Sequence, residues 1–280
     1  MTSPRSWRLI VDGPGDAAWN MAVDEALLET ADATPDALPT VRLYGWRPAA
    51  LSLGRSQVAS EAHDGAALAR LGIDLVRRPT GGDAVLHEYE RTVALTGVLR
   101  RPPFPGGVVD TYRRVASAVC AGLGRLGIGA EATAPSPASA RRRGPVCFEA
   151  AGAYEIASRG RKIAGFAQRR RRGAFLLHGS LPIQLDPARL AAAAGCAVRR
   201  ELFGDLESAG GAPIDAEALD RALVWGFERS CGAIFETGGL SAAEALRAAE
   251  LRCWKYDSMA WTLDGRIGAR EARWGPAITP

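Results

Sequence analysis

Lysine is almost missing from this chain. Of its 35 Lys plus Arg, only Lys162 and Lys255 are lysines, which leaves 33 arginines. Arginine fills every place where a generic positive charge would serve, so a retained lysine draws notice. An ammonium is compact and can lose its proton when buried, whereas a guanidinium is broad and cannot. Cysteine is also sparse: five residues, at 120, 147, 196, 231 and 253, with no C-x-x-C pair. That spacing indicates neither a disulfide framework nor a zinc ribbon, and it points to a cytoplasmic protein with reduced thiols. Histidines 63, 87 and 178 have no metal-ligand spacing, so no metal and no other cofactor is expected. The first residues contain no signal-like apolar run, and Leu190 to Val198, the longest apolar stretch, is too short to span a membrane. Net charge is only +4, and the basic run Arg169–Arg172 has no interleaved aromatics, so neither membrane nor nucleic acid is an expected partner.

What remains is the composition of a globular protein, 47% hydrophobic and 24% charged. Strand patterns are read over 7–11, 40–46, 49–54, 73–77, 92–99, 162–168 and 174–183. Helical patterns are read over 16–30, 64–72, 109–126, 187–195, 215–231 and 241–256, with a loose tail beyond. Strands come in adjacent pairs with few helices between them. This predicts an α+β fold, a mixed and largely antiparallel sheet flanked by helices, in a single domain. A helical C-terminal part is placed at about 215–256.

Three segments carry candidate chemistry. In Arg77-Arg-Pro-Thr-Gly-Gly-Asp-Ala-Val-Leu-His87 a strand meets two arginines, a Thr80-Gly81-Gly82 turn and a short apolar strand ending in His87. Paired glycines let a ligand approach the backbone; the same pattern also suits a hairpin with its arginines on a solvated edge. Cys147 follows a segment rich in Pro, Ala and Arg, fifteen residues before Lys162. A neighbouring ammonium favours thiolate, and a thiolate can accept an acyl group. Around Lys162, alternation puts Lys162, Ala164, Phe166 and Gln168 on one face and Ile163, Gly165 and Ala167 on the other. Gly165 among small residues suggests close approach by a ligand or a backbone. His87 and His178 each end an apolar run and are expected to hydrogen-bond within the fold.

Taken together, these segments resemble one family. Arg77-Arg-Pro-Thr-Gly-Gly-x-Ala-Val-Leu-His-x-x-Glu90, Val146-Cys-Phe-Glu-Ala-x-x-x-Tyr-Glu-Ile156, Gly160-Arg-Lys-Ile-Ala-Gly-x-Ala-Gln168 and His178-Gly-Ser180 follow in the order of the lipoate-protein ligase and octanoyltransferase signature. The match is nearest to the LipM-type octanoyltransferases, which carry a cysteine at the place of Cys147. The resemblance implies that the whole chain, 1–280, is a single biotin/lipoate ligase-like catalytic domain with its family core at about 7–230. It implies transfer of octanoyl from acyl carrier protein to a lysine of a lipoyl domain, such as the glycine cleavage H protein. Cys147 would carry the acyl group and Lys162 would assist it. Arg78, Thr80, Gly81, Gly82, His87, Gly165, Ala167 and His178 would line the substrate site. The chain departs from the pattern at Asp83, at Gly152-Ala153 and at Phe166, which the alternation places beside Lys162 and so in the acyl pocket. Two related activities remain open: an ATP-dependent lipoate or octanoate ligase, which needs no cysteine nucleophile, and an amidotransferase acting on octanoyl-H protein. From another class, an acyl-binding module would form no covalent adduct.

Overall fold

The structure, a computed structural model, describes residues 5–100, 102–133 and 155–266. Strand β1 (Arg5–Gly15) runs parallel to β2 (Thr40–Trp46) on one side and to β11 (Ala233–Thr237) on the other. From β2 the sheet continues antiparallel through β6 (Glu90–Val98), β10 (Ala174–Pro182), β9 (Arg161–Arg170), β8 (Ile156–Ser158) and β7 (Glu131–Ala132). A small second sheet has β3 (Ala50–Leu53) at its centre, parallel to β4 (Asp74–Arg77) and antiparallel to β5 (Val85–His87). The expected mixed, largely antiparallel α+β architecture is therefore present. The strand pair β2 and β3, adjacent in sequence, splits between the two sheets.

Helix α1 (Ala17–Ala33) starts at Asp16, whose carboxylate accepts from the Trp19 amide at 2.9 Å. It packs with α7 (Ala242–Leu251) on one face of the large sheet, in a core with Met21, Leu28, Leu176 and Leu251. Helices α3 (Val108–Arg125) and α6 (Ala216–Cys231) pack on each other and cover the opposite face, around Val119, Leu177, Leu223 and Phe227. Helices α2 (Gly65–Leu71) and α4 (Pro187–Ala194) close the small sheet over Leu51, Leu68 and Leu190, and α5 (Leu206–Gly210) follows as a single turn. With both faces covered, β2 and β10 are buried from end to end. Such strands read as continuous apolar runs rather than as alternation. Each fully buried Leu or Phe side chain contributes about 1.5–3 kcal/mol, so these strands form the rigid floor on which the site is built.

The C-terminal part departs from expectation. The helix read to residue 256 is α-helical only to Leu251 and continues as one π-helical turn, Arg252–Tyr256. The tail is not loose as far as it is described. Helix α8 (Met259–Asp264) docks on the small sheet, with Trp261 2% exposed and its Nε1 donating to the Arg77 carbonyl at 2.9 Å. Strand β11 gives little sequence signal because it is an edge strand with only Ala233 buried.

Candidate active site

The two arginines after β4 are not on a solvated edge. Both are buried and both donate to backbone carbonyls. Arg77 donates to Gly54 (2.7 Å), Gln57 (2.8 Å), Trp261 (3.0 Å) and Leu263 (2.8 Å), so it joins the 54–57 loop to the end of α8. Arg78 donates to Ser52 (2.8 Å), Gly81 (2.7 Å) and Asp83 (2.7 Å), and the Thr80-Gly81-Gly82 turn wraps around its guanidinium. Gly82 stands at φ +92°, and a Cβ there would meet an Arg78 terminal nitrogen at 2.8 Å. Conformation and crowding both require glycine at this position. Gly81 acts through its carbonyl.

Behind the turn lie two hydroxyl–imidazole–carboxylate chains. In the first, Thr80 Oγ1 is 2.6 Å from His178 Nε2, and His178 Nδ1 is 2.9 Å from Asp24. Asp24 also accepts from Arg42 (2.9 Å) and Tyr44 (2.8 Å). Burial alone would raise the Asp24 pKa; the His178 hydrogen bond and the Arg42 charge outweigh it and hold the group below the usual carboxylate range. Burial pushes the His178 pKa down, more than Asp24 raises it, so the ring is neutral near pH 7. Its proton then sits on Nδ1, facing the carboxylate, and Nε2 accepts from Thr80. In the second chain Ser52 Oγ is 2.8 Å from His87 Nε2, and His87 Nδ1 is 2.8 Å from Glu90. Glu90 also accepts from Thr92 and Ser180, and Trp46 stacks on His87 with ring centroids 3.9 Å apart.

These groups surround a narrow cavity of about 50 Å³, whose wall includes Met21, Trp46 and Val85 beside the two histidines. Of the residues expected in the substrate site, Arg78, Gly82, His87, Gly165, Ala167 and His178 line it. Thr80 and Gly81 bond to its wall through His178 and Arg78. No polar side chain of the wall is left without a hydrogen-bond partner. Among the described residues no group of three or more His, Cys, Asp or Glu is disposed to hold a metal.

Lys162 adjoins this cavity by a route that alternation did not show. The β8–β9 ladder pairs Ile156 with Ala164 but Ala157 with Lys162, so β9 carries one extra residue, Ile163. This bulge shifts the parity of the strand. Ile163 and Ala164 both enter the core beneath α3 and α6, while the Lys162 side chain lies on the face of Gly165. A Cβ on Gly165 would sit 2.8 Å from Lys162 Cε and 3.0 Å from Nζ. The small residue thus makes room for the lysine. Phe166 pairs with Gly179, and its ring lies over Gly179 against the core shared with Leu177. The ring therefore lies on the sheet face opposite Lys162, not beside it as expected from alternation, yet Phe166 still contributes to the cavity wall, as expected. Lys162 is 3% exposed and its ammonium donates to Glu155. In the sequence Glu90 and Glu155 stand as motif positions without a role, and Asp24 and Ser52 have none; the signal for all four is a polar residue inside an otherwise apolar element or in a motif. Cys147 lies outside the described residues.

The family model for the lipoyl protein ligase A/B catalytic domain matches residues 16–228. The chain belongs to that family. Within it, the chain is 39% identical to an octanoyltransferase LipM from Kyrpidia tusciae, over 92% of this chain and 98% of the relative. It is 35% identical to octanoyltransferase LipM from Geobacillus kaustophilus, over 91% and 97%. The family fold recurs in the putative lipoate protein ligase from T. acidophilum with bound lipoic acid (TM-score 0.79, 23% identity, 93% of this chain and 100% of that one). It recurs also in a lipoate-protein ligase A bound with ATP (TM-score 0.80, 24% identity, 92% and 99%). No helix among the described residues is long and apolar enough to cross a membrane.

Proposed function

We propose that the chain is an octanoyltransferase of lipoate biosynthesis. It moves octanoyl from acyl carrier protein to a lysine of a lipoyl domain, such as the glycine cleavage H protein, through a thioester on Cys147. One observation carries this reading: a buried ammonium, Lys162 on Glu155, adjoins at Gly165 a narrow cavity whose polar wall groups are all internally paired. A wall with no unpaired donor or acceptor suits a saturated chain, which has nothing to offer them. The relatives named octanoyltransferase LipM support the same reading.

In the first half-reaction the Cys147 thiolate, which the Lys162 ammonium would favour, attacks the octanoyl thioester carbonyl. The donor C–S bond breaks, the new C–S bond forms, and the donor leaves as a thiol with one proton. In the second half-reaction the acceptor lysine attacks the same carbonyl. The amide bond forms and the bond to Cys147 breaks. Of the two protons lost by the acceptor ammonium, one returns to the Cys147 sulfur and one goes to solvent. Exchange of thioesters is nearly balanced and thioester to amide is downhill, so ATP is not needed. The test is intact mass after mixing the protein with octanoyl-acyl carrier protein without ATP, beside Cys147→Ala. An octanoyl adduct on the wild type, released by hydroxylamine and absent from the variant, is expected. Transfer to a lipoyl domain that instead requires free octanoate and ATP would replace this reading with the ligase.

A further inference from the structure

The basic run Arg169–Arg172, read in the sequence as a solvated turn, is in part an extension of the site. Along β9, Gly165 and Ala167 line the cavity, and alternation carries the same face on to Arg169; Arg171 follows just past the strand end. Arg169 pairs with Leu176 of β10, which faces α1, and its guanidinium bonds to Glu25 of α1 at 2.8 Å. Arg171 meets Glu29, one turn further along α1, at 3.2 Å. Arg55 stands across from them, its amide donating to the Thr80 carbonyl at 2.8 Å, so it adjoins the turn that closes the cavity. Its side chain is exposed, beside a cleft of about 540 Å³ whose polar groups include Ser56, His63, Arg77 and the carboxylate of Asp264, with Val58 and Leu263 among its apolar ones.

The charges here do not balance. Glu25 serves Arg169 and Lys255, and Glu29 serves Arg171 and Arg247, which also reaches Glu250. Arg55 has no carboxylate within 4 Å among the described residues. Five cations thus face three carboxylates, an excess of two positive charges. Partial burial and the positive charges of Arg169 and Arg171 depress the Arg55 pKa despite the attraction of Glu25. A set of mutually repelling guanidiniums is stabilised by an incoming anion.

The geometry points to an anion-recognition track, Arg55, Arg169 and Arg171, for the phosphodiester of the thioester-bearing arm of a carrier protein. The inference rests on the transferase reading above and names how its donor is held. From Gly165 to Arg169 is four residues of strand, about 13 Å. That span lies within the reach of an extended pantetheine arm whose thioester lies at Gly165 and Lys162. The cleft beside Arg55 suits such an arm, with its amides and phosphodiester, better than the broad face of a folded acceptor domain.

The experiment measures acyl-enzyme formation by intact mass with two donors, octanoyl-acyl carrier protein and octanoyl-pantetheine, which lacks the phosphate. Wild type is compared with Arg55→Ser, Arg55→Lys and Arg55→Ser/Arg171→Ser; Arg169 is left alone because it ties β9 to α1. With the carrier protein, kcat/KM is expected to fall about ten-fold for Arg55→Ser and further for the double variant, with partial recovery for Arg55→Lys. Wild-type kcat/KM should fall with salt, more steeply than that of the double variant. With octanoyl-pantetheine the variants should match wild type. Equal losses with both donors, no loss with either, or a loss only in delivery from a preformed acyl-enzyme to the lipoyl domain would overturn the track. No adduct on the wild type with either donor would instead overturn the transferase reading itself.

Discussion

Both lysines of this arginine-rich chain are buried, and each bonds to a glutamate: Lys162 to Glu155, and Lys255 to Glu25 at 2.5 Å. The two sites explain why arginine did not replace them. Lys162 passes over Gly165, where a planar five-donor guanidinium would collide with the backbone. Lys255 stands 4.0 Å from the centroid of Trp261, in a pocket closed by Tyr256. The Glu155–Lys162 pair can be separated into stability and chemistry. Removing one partner of a buried pair strands the other charge, whereas removing both is far less harmful. Glu155→Gln is therefore expected to cost about 3 kcal/mol in urea unfolding. Glu155→Gln/Lys162→Met should recover most of that loss. Formation of the acyl-enzyme, followed by mass, should stay at least ten-fold slow in the double variant, as expected for loss of a charge that acts on the reacting thiol. Full transfer activity in the double variant would assign the pair to packing alone.

At the level of elements, Arg77 does what a helix cap and a loop staple do separately. Its guanidinium receives the free carbonyls at the end of α8 and those of the 54–57 loop. A cation at a helix C-terminus is also favoured by the helix dipole. Arg77→Leu leaves several buried carbonyls without donors, which predicts a loss of about 3 kcal/mol or more in chemical denaturation. Amide exchange should rise first in 54–57 and 259–264, with the α3–α6 layer unaffected. Uniform exchange across the chain would show that Arg77 supports the fold as a whole. The Arg-Arg-Pro-Thr-Gly-Gly motif was legible in the sequence as a turn at a site, because paired glycines allow a tight turn and close approach to the backbone and because the motif resembles the family's. That the arginines hold the turn from inside was not legible, since their acceptors are carbonyls that any sequence supplies. The long helices α1, α3 and α6 were legible through apolar periodicity. The β9 bulge was not, because a single extra residue leaves no mark in the pattern yet inverts every face that precedes it. It moved Lys162 to the face of Gly165 and left Phe166 on the other. The second half of each histidine chain, Asp24 on α1 and Glu90 on β6, comes from elements distant in sequence or from a buried strand end, where pairing is visible only once the fold is known.

For the whole molecule, the buried carboxylates of α1 join the large sheet to the C-terminal helical part. Asp24 holds His178, Arg42 and Tyr44; Glu25 holds Lys255, Arg169 and Tyr256. Burial would raise the Glu25 pKa, but Lys255 and Arg169 bring it to about 2. Glu90 is likewise held below its ordinary value, burial being outweighed by His87 and its hydrogen bonds. Carboxylates with depressed folded pKa values stabilise the fold above their unfolded pKa and lose that contribution as pH falls through the folded value. For Glu25 the window runs from 4.5 down to about 2. His178 acts in the same direction by another route. Its folded pKa lies below 6.5, so the unfolded chain binds its proton first, and stability begins to fall as pH drops through 6.5. Lys255 acts in the same direction in a different window: burial and the repulsion of Arg169 and Arg55 lower its pKa despite Glu25, so its contribution rises only as pH climbs toward 10.5. Tm is therefore expected to decline gently from pH 6.5 and steeply below 4.5. His178→Gln should flatten the upper limb and Glu25→Gln the lower one, each at the cost of a lower Tm at pH 7. A Tm that holds level from pH 7 to pH 4 in the wild type would mean that these groups titrate alike in the folded and unfolded chains. Because the same carboxylates anchor the cavity wall and the C-terminal clamp, loss of acyl transfer on acidification should track the fall in Tm once the intrinsic titration of the attacking thiol is subtracted.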